Sequence, residues 1–178
     1  YRSRIGPRLK QETSLLAGIQ QFKTQIGPDF FFNLDIRRLA LRSAWTYDAQ
    51  ASLSIRAGVD LRLDDVDISL VSPLRPVEGE DLPPVSTQNR YAVDDSTVLL
   101  QPAVFAELEF KPIEDLIVLP GVRIDYYRDL HRWTVDPRLT VLYRLSESTL
   151  IKGGVGYFQQ PPTADQSNVE LGNPDLYA

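Results

Sequence analysis

The sequence lacks the residues from which most covalent or metal-bound sites are built. Its 178 residues include no cysteine, no methionine and a single histidine. Without cysteine the chain can form neither a disulfide framework nor a thiolate metal site. His131 alone cannot supply the three or four protein ligands that a zinc centre needs. The sequence therefore predicts no cofactor and no metal site.

Long apolar runs and a basic surface are missing as well. The longest apolar stretches, such as residues 116–122, fall short of the roughly 18 residues that a transmembrane helix needs. The net charge is −5, with both signs spread along the chain, so we expect no nucleic-acid partner. There is no Gly-x-Ser-x-Gly motif, and Ser146–Ser148 has no histidine base within sequence reach. These absences predict that the chain is not an enzyme.

What the sequence has is alternation of apolar and polar residues over most of its length. Residues 53–63 put six apolar side chains on one parity and six small or polar ones, counting Asp64, on the other. Residues 117–127 and 133–145 alternate in the same way. A period of two predicts strands with one apolar and one polar face. At Asp64–Asp65 the alternation slips by one residue, which predicts either a β-bulge or a change of environment.

The pattern predicts about eight strands and no amphipathic helix. They are expected near residues 2–10, 14–26, 30–48, 52–70, 102–110, 116–128, 133–145 and 149–160. Short turns are expected near residues 11–14, 48–51, 111–115 and 146–148. The alternate connections, near 27–29, 71–97, 129–132 and from 161 onward, are more variable and include the two longest.

The apolar parity could face either a protein core or a lipid bilayer. Strands of a dozen residues exceed the usual five or six of soluble domains and suit a tilted membrane crossing. Aromatic side chains gather at both strand ends, as at bilayer interfaces: Trp45, Tyr47, Phe110 and Tyr143 at one, and Tyr126, Tyr127, Trp133, Tyr157 and Phe158 at the other. We therefore favour membrane strands. The alternative is a soluble or secreted all-β ligand-binding module, with its apolar faces packed sheet against sheet.

Several short motifs occur in an order that resembles the barrel of TonB-dependent outer-membrane receptors. The matching residues are Ala57–Asp60, then Pro120, Gly121, Arg123 and Asp125, then Asp136–Arg138, Lys152, Gly156 and Gln160–Pro162. The resemblance implies an antiparallel transmembrane β-barrel segment of about eight long strands, with short periplasmic turns and longer extracellular loops. Residues 1–178 would form part of one barrel domain. The plug domain and the remaining strands of a 22-stranded barrel are not found in this sequence, so a fragment is expected.

The resemblance also implies a function in the outer membrane of a Gram-negative bacterium. Such receptors take up scarce nutrients, for example siderophores, with energy delivered through TonB. The implied partners are outer-membrane lipid, the protein's own plug domain and the rest of its barrel, the TonB complex through an amino-terminal region, and a small-molecule ligand whose identity stays open.

The polar parity is expected to face the lumen of the barrel. The candidates are Arg56, Asp60, Arg62, Arg123, Asp125, Asp136, Arg138, Arg144 and Lys152. They would either hold the plug by hydrogen bonds and ion pairs or pair with one another and stiffen the wall. The acidic residues Asp64, Asp65 and Asp67 lack the fixed glycine and glutamate of a calcium loop, and we expect a solvated acidic rim there.

Overall fold

The computed structural model describes residues 1–27, 30–73 and 90–162. These residues form eight β-strands in a single sheet. The strands are β1 (Arg2–Ile5), β2 (Leu9–Ile26), β3 (Phe30–Gln50), β4 (Leu53–Pro73), β5 (Arg90–Ile113), β6 (Leu116–Tyr127), β7 (Arg132–Ser146) and β8 (Thr149–Gly156). No helix in these ranges is long and apolar enough to cross a bilayer.

Each strand pairs antiparallel with the next one along the chain, so the sheet order is β1 to β8. Three of the strands, β3, β4 and β5, are 21, 21 and 24 residues long. The prediction of an all-β antiparallel array of about eight long strands is confirmed. Among the described strands β1 and β8 each have one neighbour, so the array is an open wall one layer thick.

The first turn lies earlier than the sequence predicted. It spans residues 6–8, and β2 already begins at Leu9, so the expected turn near 11–14 was wrong. Gly6 has a φ of 74°, a conformation that costs glycine little, and Pro7 follows it. This Gly-Pro pair was the local signal that the alternation obscured.

The predicted loop over residues 71–97 was too long at both ends. β4 continues to Pro73, which pairs with Arg90 at the start of β5. Prolines and acidic residues made this stretch resemble a loop, yet residues 90–97 pair residue by residue with 66–73. The rest of that prediction, residues 74–89, lies outside the described residues, as do residues 28–29 and the connection beyond residue 162. β8 ends at Gly156, four residues before its predicted end.

The slip in alternation at Asp64–Asp65 is not a bulge. Pairing between β3 and β4 runs without interruption from Phe31 opposite Val71 to Asp48 opposite Ser54. Successive side chains therefore keep pointing to opposite faces through the slip. The uninterrupted register agrees with the second expectation, a change of environment at this point of the strand.

The two faces of the sheet differ in burial. We call the face that carries Asp60 and Asp125 the front face, and the opposite one, which carries Leu61 and Ile124, the back face. The strand register assigns every described buried residue except Ser43 to the front face. The core of the described sheet therefore lies on the front face, where the charged side chains are.

Candidate functional site

The back face carries a band of exposed apolar side chains. Leu61 is 42% exposed, Val104 50% and Leu139 39%, although monomeric soluble proteins rarely expose apolar patches of this extent. A soluble sandwich would place Val122, Ile124, Leu139 and Val141 beneath a second protein layer. The described strands form one layer, and this band has no protein cover from them.

Aromatic side chains mark the two ends of the apolar band. Trp45, Tyr47, Phe110 and Tyr143 lie on the back face near the short turns, each 37–44% exposed. At the other end, the rings of Tyr126 and Trp133 are 4.7 Å apart. Amphipathic rings at such positions suit the boundary between hydrocarbon and water.

Two aromatic residues of the predicted belts lie elsewhere. Tyr127 is on the front face and only 5% exposed, because its parity is opposite to that of Tyr126. The ring of Phe158 lies against Gly156, on the front face of β8. Their placement in the belt was wrong, since nearness to a strand end does not determine which face a side chain occupies.

The polar side chains inside the apolar band are paired with one another. Thr13 Oγ1 and Ser43 Oγ are 2.9 Å apart, and Gln11 Nε2 donates to Thr13 Oγ1 at 3.3 Å. A hydroxyl facing an apolar medium without a partner would cost several kcal/mol. The mutual hydrogen bonds allow these groups to lie within the band.

The polarity of both faces inverts between Leu63 and Val66. Beyond this line the back face is polar: Arg37 contacts Asp65 at 3.0 Å and Asp67 at 3.4 Å. The front face there is apolar and buried, with Phe30, Val66, Ile68 and Val93 at 1–6% exposure. The inversion involves side chains from β3, β4 and β5, so it is a property of the sheet and defines the edge of the apolar band.

Just below this line, Asp64 joins two arginines on the front face. Arg38 donates to both oxygens of Asp64, at 2.7 and 2.8 Å, and Arg62 Nε lies 3.3 Å from the same carboxylate. The Asp64 side chain is 4% exposed. A carboxylate buried this deeply requires such bidentate, charge-assisted bonds to offset its desolvation.

A second cluster is centred on Arg123. Its guanidinium donates twice to Asp125, both at 2.8 Å, and also to Asp60. Arg42 approaches Asp60 at 3.6 Å and stacks on the Phe105 ring, 4.7 Å from the ring centroid. The charged groups of this cluster, together with Arg62, line a front-face cavity of about 330 Å³. The cluster links β3, β4, β5 and β6 through charged and aromatic contacts.

Two glycines of the quoted motifs make room for these long side chains. A Cβ on Gly58 would lie 2.5 Å from the Phe105 ring. A Cβ on Gly121 would lie 3.2 Å from Arg138 Nε, and Arg138 reaches past this glycine to Glu107 at 2.8 Å. A side chain at Gly58 would overlap the Phe105 ring and the Ser43 carbonyl oxygen, whereas at Gly121 the Arg138 side chain would have to shift by a few tenths of an ångström.

The register places all nine predicted charged residues on the front face. Asp60, Arg62, Arg123 and Asp125 are brought together around one cavity. Asp136 accepts a hydrogen bond from the Gln159 backbone at 3.3 Å, and Arg138 pairs with Glu107. Within the described ranges Arg56, Arg144 and Lys152 make no ion pair.

Sequence reasoning missed four members of the front-face network. Arg38 and Arg42 share the even parity of β3, Asp64 continues the polar parity of β4, and Glu107 opposes Arg56. The spacing of four between the two arginines was an available signal. The acidic group was also split: Asp64 lies on the front face, and Asp65 and Asp67 lie on the back. Among the described residues no three potential metal-ligating side chains converge.

Comparisons with known proteins identify the architecture. No curated protein sequence matches the chain. A mutant of the ferric enterobactin receptor PfeA from Pseudomonas aeruginosa is similar with a TM-score of 0.64 and 16% identity, over 96% of this chain and 26% of that receptor. The siderophore receptor PirA of the same organism is 14% identical over 98% of this chain and 44% of its own, with a TM-score of 0.45.

The chain thus spans about a quarter of PfeA and less than half of PirA. At 16% identity the similarity to PfeA establishes the fold alone. The profile of the family described as TonB dependent receptor-like, beta-barrel matches residues 3–177, nearly the whole chain. Proteins of this family are outer-membrane β-barrels of Gram-negative bacteria and act as receptors or transporters. The chain belongs to the TonB-dependent receptor β-barrel family and has the fold of a portion of such a barrel.

Proposed function

We propose that this chain forms part of the wall of an outer-membrane receptor that takes up a scarce nutrient, such as a siderophore, with energy delivered through TonB. The observation that carries the proposal is the apolar band on the back face, which ends where the polarity of both faces inverts. Lipid covers the band, and closed strand pairing satisfies the backbone within it.

The height of the band agrees with a bilayer crossing. On β4 the apolar back-face residues run from Leu53 to Leu63. Ten residue steps at about 3.3 Å each span roughly 33 Å along the strand, and a strand tilt of 35–45° reduces this to about 25 Å along the membrane normal. That is the usual height of the apolar band in outer-membrane barrels.

The front face would then line the aqueous interior of the barrel, with the nine predicted charged residues as its lumen-facing side chains. Arg123, Asp125 and Asp60 already form a connected network that stiffens the wall. Arg56, Arg144 and Lys152 keep charges that are available to groups inside the barrel. We assign the long-loop end, beyond the polarity inversion, to the extracellular side.

The proposed partners follow from this placement. Outer-membrane lipid covers the back face, further barrel strands pair with the edges of β1 and β8, and a plug domain of the same protein contacts the front face. The TonB complex acts through an amino-terminal region. PfeA and PirA are named as receptors for ferric enterobactin and siderophores, which makes a siderophore the ligand class to test first. We assign no catalytic role.

The test combines localisation with uptake. The gene product that contains this chain should fractionate with outer membranes, resist extraction by salt, and migrate differently on gels before and after heating. Deleting the gene should abolish growth on at least one ferric siderophore as the iron source, and removing TonB should have the same effect. Recovery of the product as a soluble protein without detergent, or uptake that is unchanged without TonB, would overturn the proposal.

A further inference from the structure

Strand β5 extends well beyond the strand that pairs with it on the β6 side. Its pairing with β6 ends with Ala103 opposite Asp125, and the last backbone contact is a hydrogen bond of 3.3 Å from Arg128 N to the Leu100 carbonyl oxygen. There the chain turns toward β7, whereas β5 continues in the same direction to its first residue, Arg90. The wall therefore has a step above the β6–β7 turn, where one edge of β5 lies beside no described strand.

The strand pairing shows which backbone groups point out from this edge. In an antiparallel ladder the N–H and C=O of one residue point to the same side, and successive residues alternate between the two sides. The Leu100 carbonyl points toward β6, and the pairing of β5 with β4 continues without a break from there to Arg90. The exposed residues that share the direction of Leu100 are Ala92, Asp94, Ser96 and Val98. We call this row of backbone donors and acceptors the β5 edge.

The β5 edge has the properties of a template for one more strand. It runs over roughly 20 Å from Ala92 to Val98, and it contains neither a proline nor a bulge, two devices that protect sheet edges from pairing. The remaining strands of a barrel would pair with β1 and β8, so they do not cover this edge. An extended polypeptide that adds to a free edge gains main-chain hydrogen bonds along its whole length.

The charge beside the β5 edge is negative. Asp94 lies on the edge, and Asp67 of β4 is directly opposite Ser96. Asp65 and Asp67 share one cation, Arg37, at 3.0 and 3.4 Å. Within the described ranges no lysine or arginine nitrogen lies within 4.0 Å of the Asp94 carboxylate. A side chain opposite Asp94 on an added strand would have its Cβ about 5 Å away, and a basic residue is favoured there.

Two other occupants fit this edge less well. A second copy of the chain would bring its own Asp94 to the same edge, and like charges on paired strands are destabilising. Lipid is disfavoured because the edge lies beyond the polarity inversion, where the back face is charged, and because an anionic headgroup would be repelled by the carboxylates.

We propose that the β5 edge binds an extended, basic segment of another polypeptide by strand addition, from outside the cell. The inference rests on the proposed function, because that function places the region beyond the polarity inversion on the extracellular side. The added strand pairs with the outward backbone groups from Ala92 to Val98, and a lysine or arginine of the segment lies opposite Asp94.

Binding of a synthetic peptide to the intact gene product, purified in neutral detergent, tests the proposal. The probe is a fluorescent peptide of four Lys-Thr repeats, and its affinity is measured by fluorescence anisotropy. A lysine opposite Asp94 directs its own N–H toward β5, so N-methylation of the lysine amides should weaken binding about tenfold. N-methylation of the threonine amides, which face away from β5, is the matched control and should change the affinity by less than about twofold.

Two substitutions locate the binding on β5. Asp94→Lys should lower the affinity for the probe about tenfold, because repulsion replaces attraction, and should favour a Glu-Thr version of the peptide. Ser96→Pro removes one outward N–H and leaves the hydrogen bonds to β4 in place, with an expected loss of about tenfold. Glu147→Lys in the exposed β7–β8 turn and Ser96→Ala are the matched controls, and both should bind as the unsubstituted protein does.

Three results would overturn the inference: no saturable binding of the probe, equal binding of the peptide methylated at its lysine amides, or unchanged affinity in the folded Asp94→Lys and Ser96→Pro variants. Mobility before and after heating reports folding, and if neither variant folds, the methylated peptides decide the question on the unsubstituted protein. Failure of the proposed function is distinguishable, because localisation and TonB-dependent uptake are measured without the probe.

Discussion

The same three strands, β3, β4 and β5, build two regions with opposite polarity. In the region between the aromatic residues and Leu63, which we call the band region, the back face is apolar and the front face is charged. In the region beyond Asp64, the extension, the back face is charged and the front face is apolar and buried. The uninterrupted register shows that the medium beside the sheet changes while the backbone does not.

The two regions are therefore stabilised by different interactions. In the extension, Val66 and Ile68 are 1–2% exposed, as in the core of a soluble protein, and the Arg37 side chain on the back is 62% exposed. On the front face of the band region the ion pairs of Asp60 and Arg123 lie beside the buried side chains of Ala103, Phe105 and Tyr127. The exposed ion pairs of Arg37 contribute about 0–1 kcal/mol, so the extension is stabilised mainly by the apolar side chains of its front face. The band region is stabilised by lipid contact on its back face and by the ion-pair network on its front face.

The largest difference is expected for apolar truncation on the front face. Ile68→Ala should lower the free energy of unfolding by about 2–5 kcal/mol, because it opens a cavity in a closely packed site. Leu16→Ala, on the front face of the band region where Leu16 is 56% exposed, should cost less than about 1 kcal/mol. Urea unfolding in lipid vesicles, followed by tryptophan fluorescence, measures both. Equal losses would remove the distinction between the regions.

A positive charge introduced on the back face should also have different effects in the two regions. Val59→Arg places a cation in the middle of the apolar band and should cost about 2–4 kcal/mol at the bilayer midplane. Ser96→Arg, on the back face of the extension, should change stability by less than about 0.5 kcal/mol, since that surface faces water. The same unfolding assay applies. A neutral effect of Val59→Arg would contradict lipid contact at this position.

The smallest effect is expected at the boundary itself, where adjacent residues point to opposite faces. Asp64→Asn removes a nearly buried carboxylate from two arginines and should cost about 1.5–3 kcal/mol, the range for hydrogen bonds to charged groups. Asp65→Asn breaks a pair in which Arg37 and Asp65 are 62% and 44% exposed, and should cost about 0–1 kcal/mol. If the two substitutions have the same effect, the network does not distinguish the front face from the back.

The alternation of residues predicted much of this architecture. The number of strands followed from the alternation and the turns between its segments, and the placement of all nine charged residues on one face followed from parity, because a side chain in a strand has only two directions available. The antiparallel order was implied by the family resemblance. The apolar residues around Leu61 and Leu139 were expected to be uncovered by protein, and the described sheet leaves them exposed. The motifs around Gly121 and Asp136 identified the family.

The errors have separate causes. Tyr127 was assigned to an aromatic belt because it is near a strand end, although its parity places it on the front face. Residues 90–97 were interpreted as loop because they follow a stretch rich in proline and acidic residues, although their polar back-face side chains suit a strand where water replaces lipid. The turn at Gly6 was missed because the residues after it resume alternation at once.

By itself, the sequence determined that the chain forms long two-faced strands and which residues share a face, since both follow from a period of two. Only the tertiary structure decided which carboxylate each arginine binds, which arginines are left without one, and whether the slip at Asp64–Asp65 is a bulge or a change of environment. Those outcomes depend on the register between strands and on the medium beside each face, and neither is encoded in the spacing of residues along one strand.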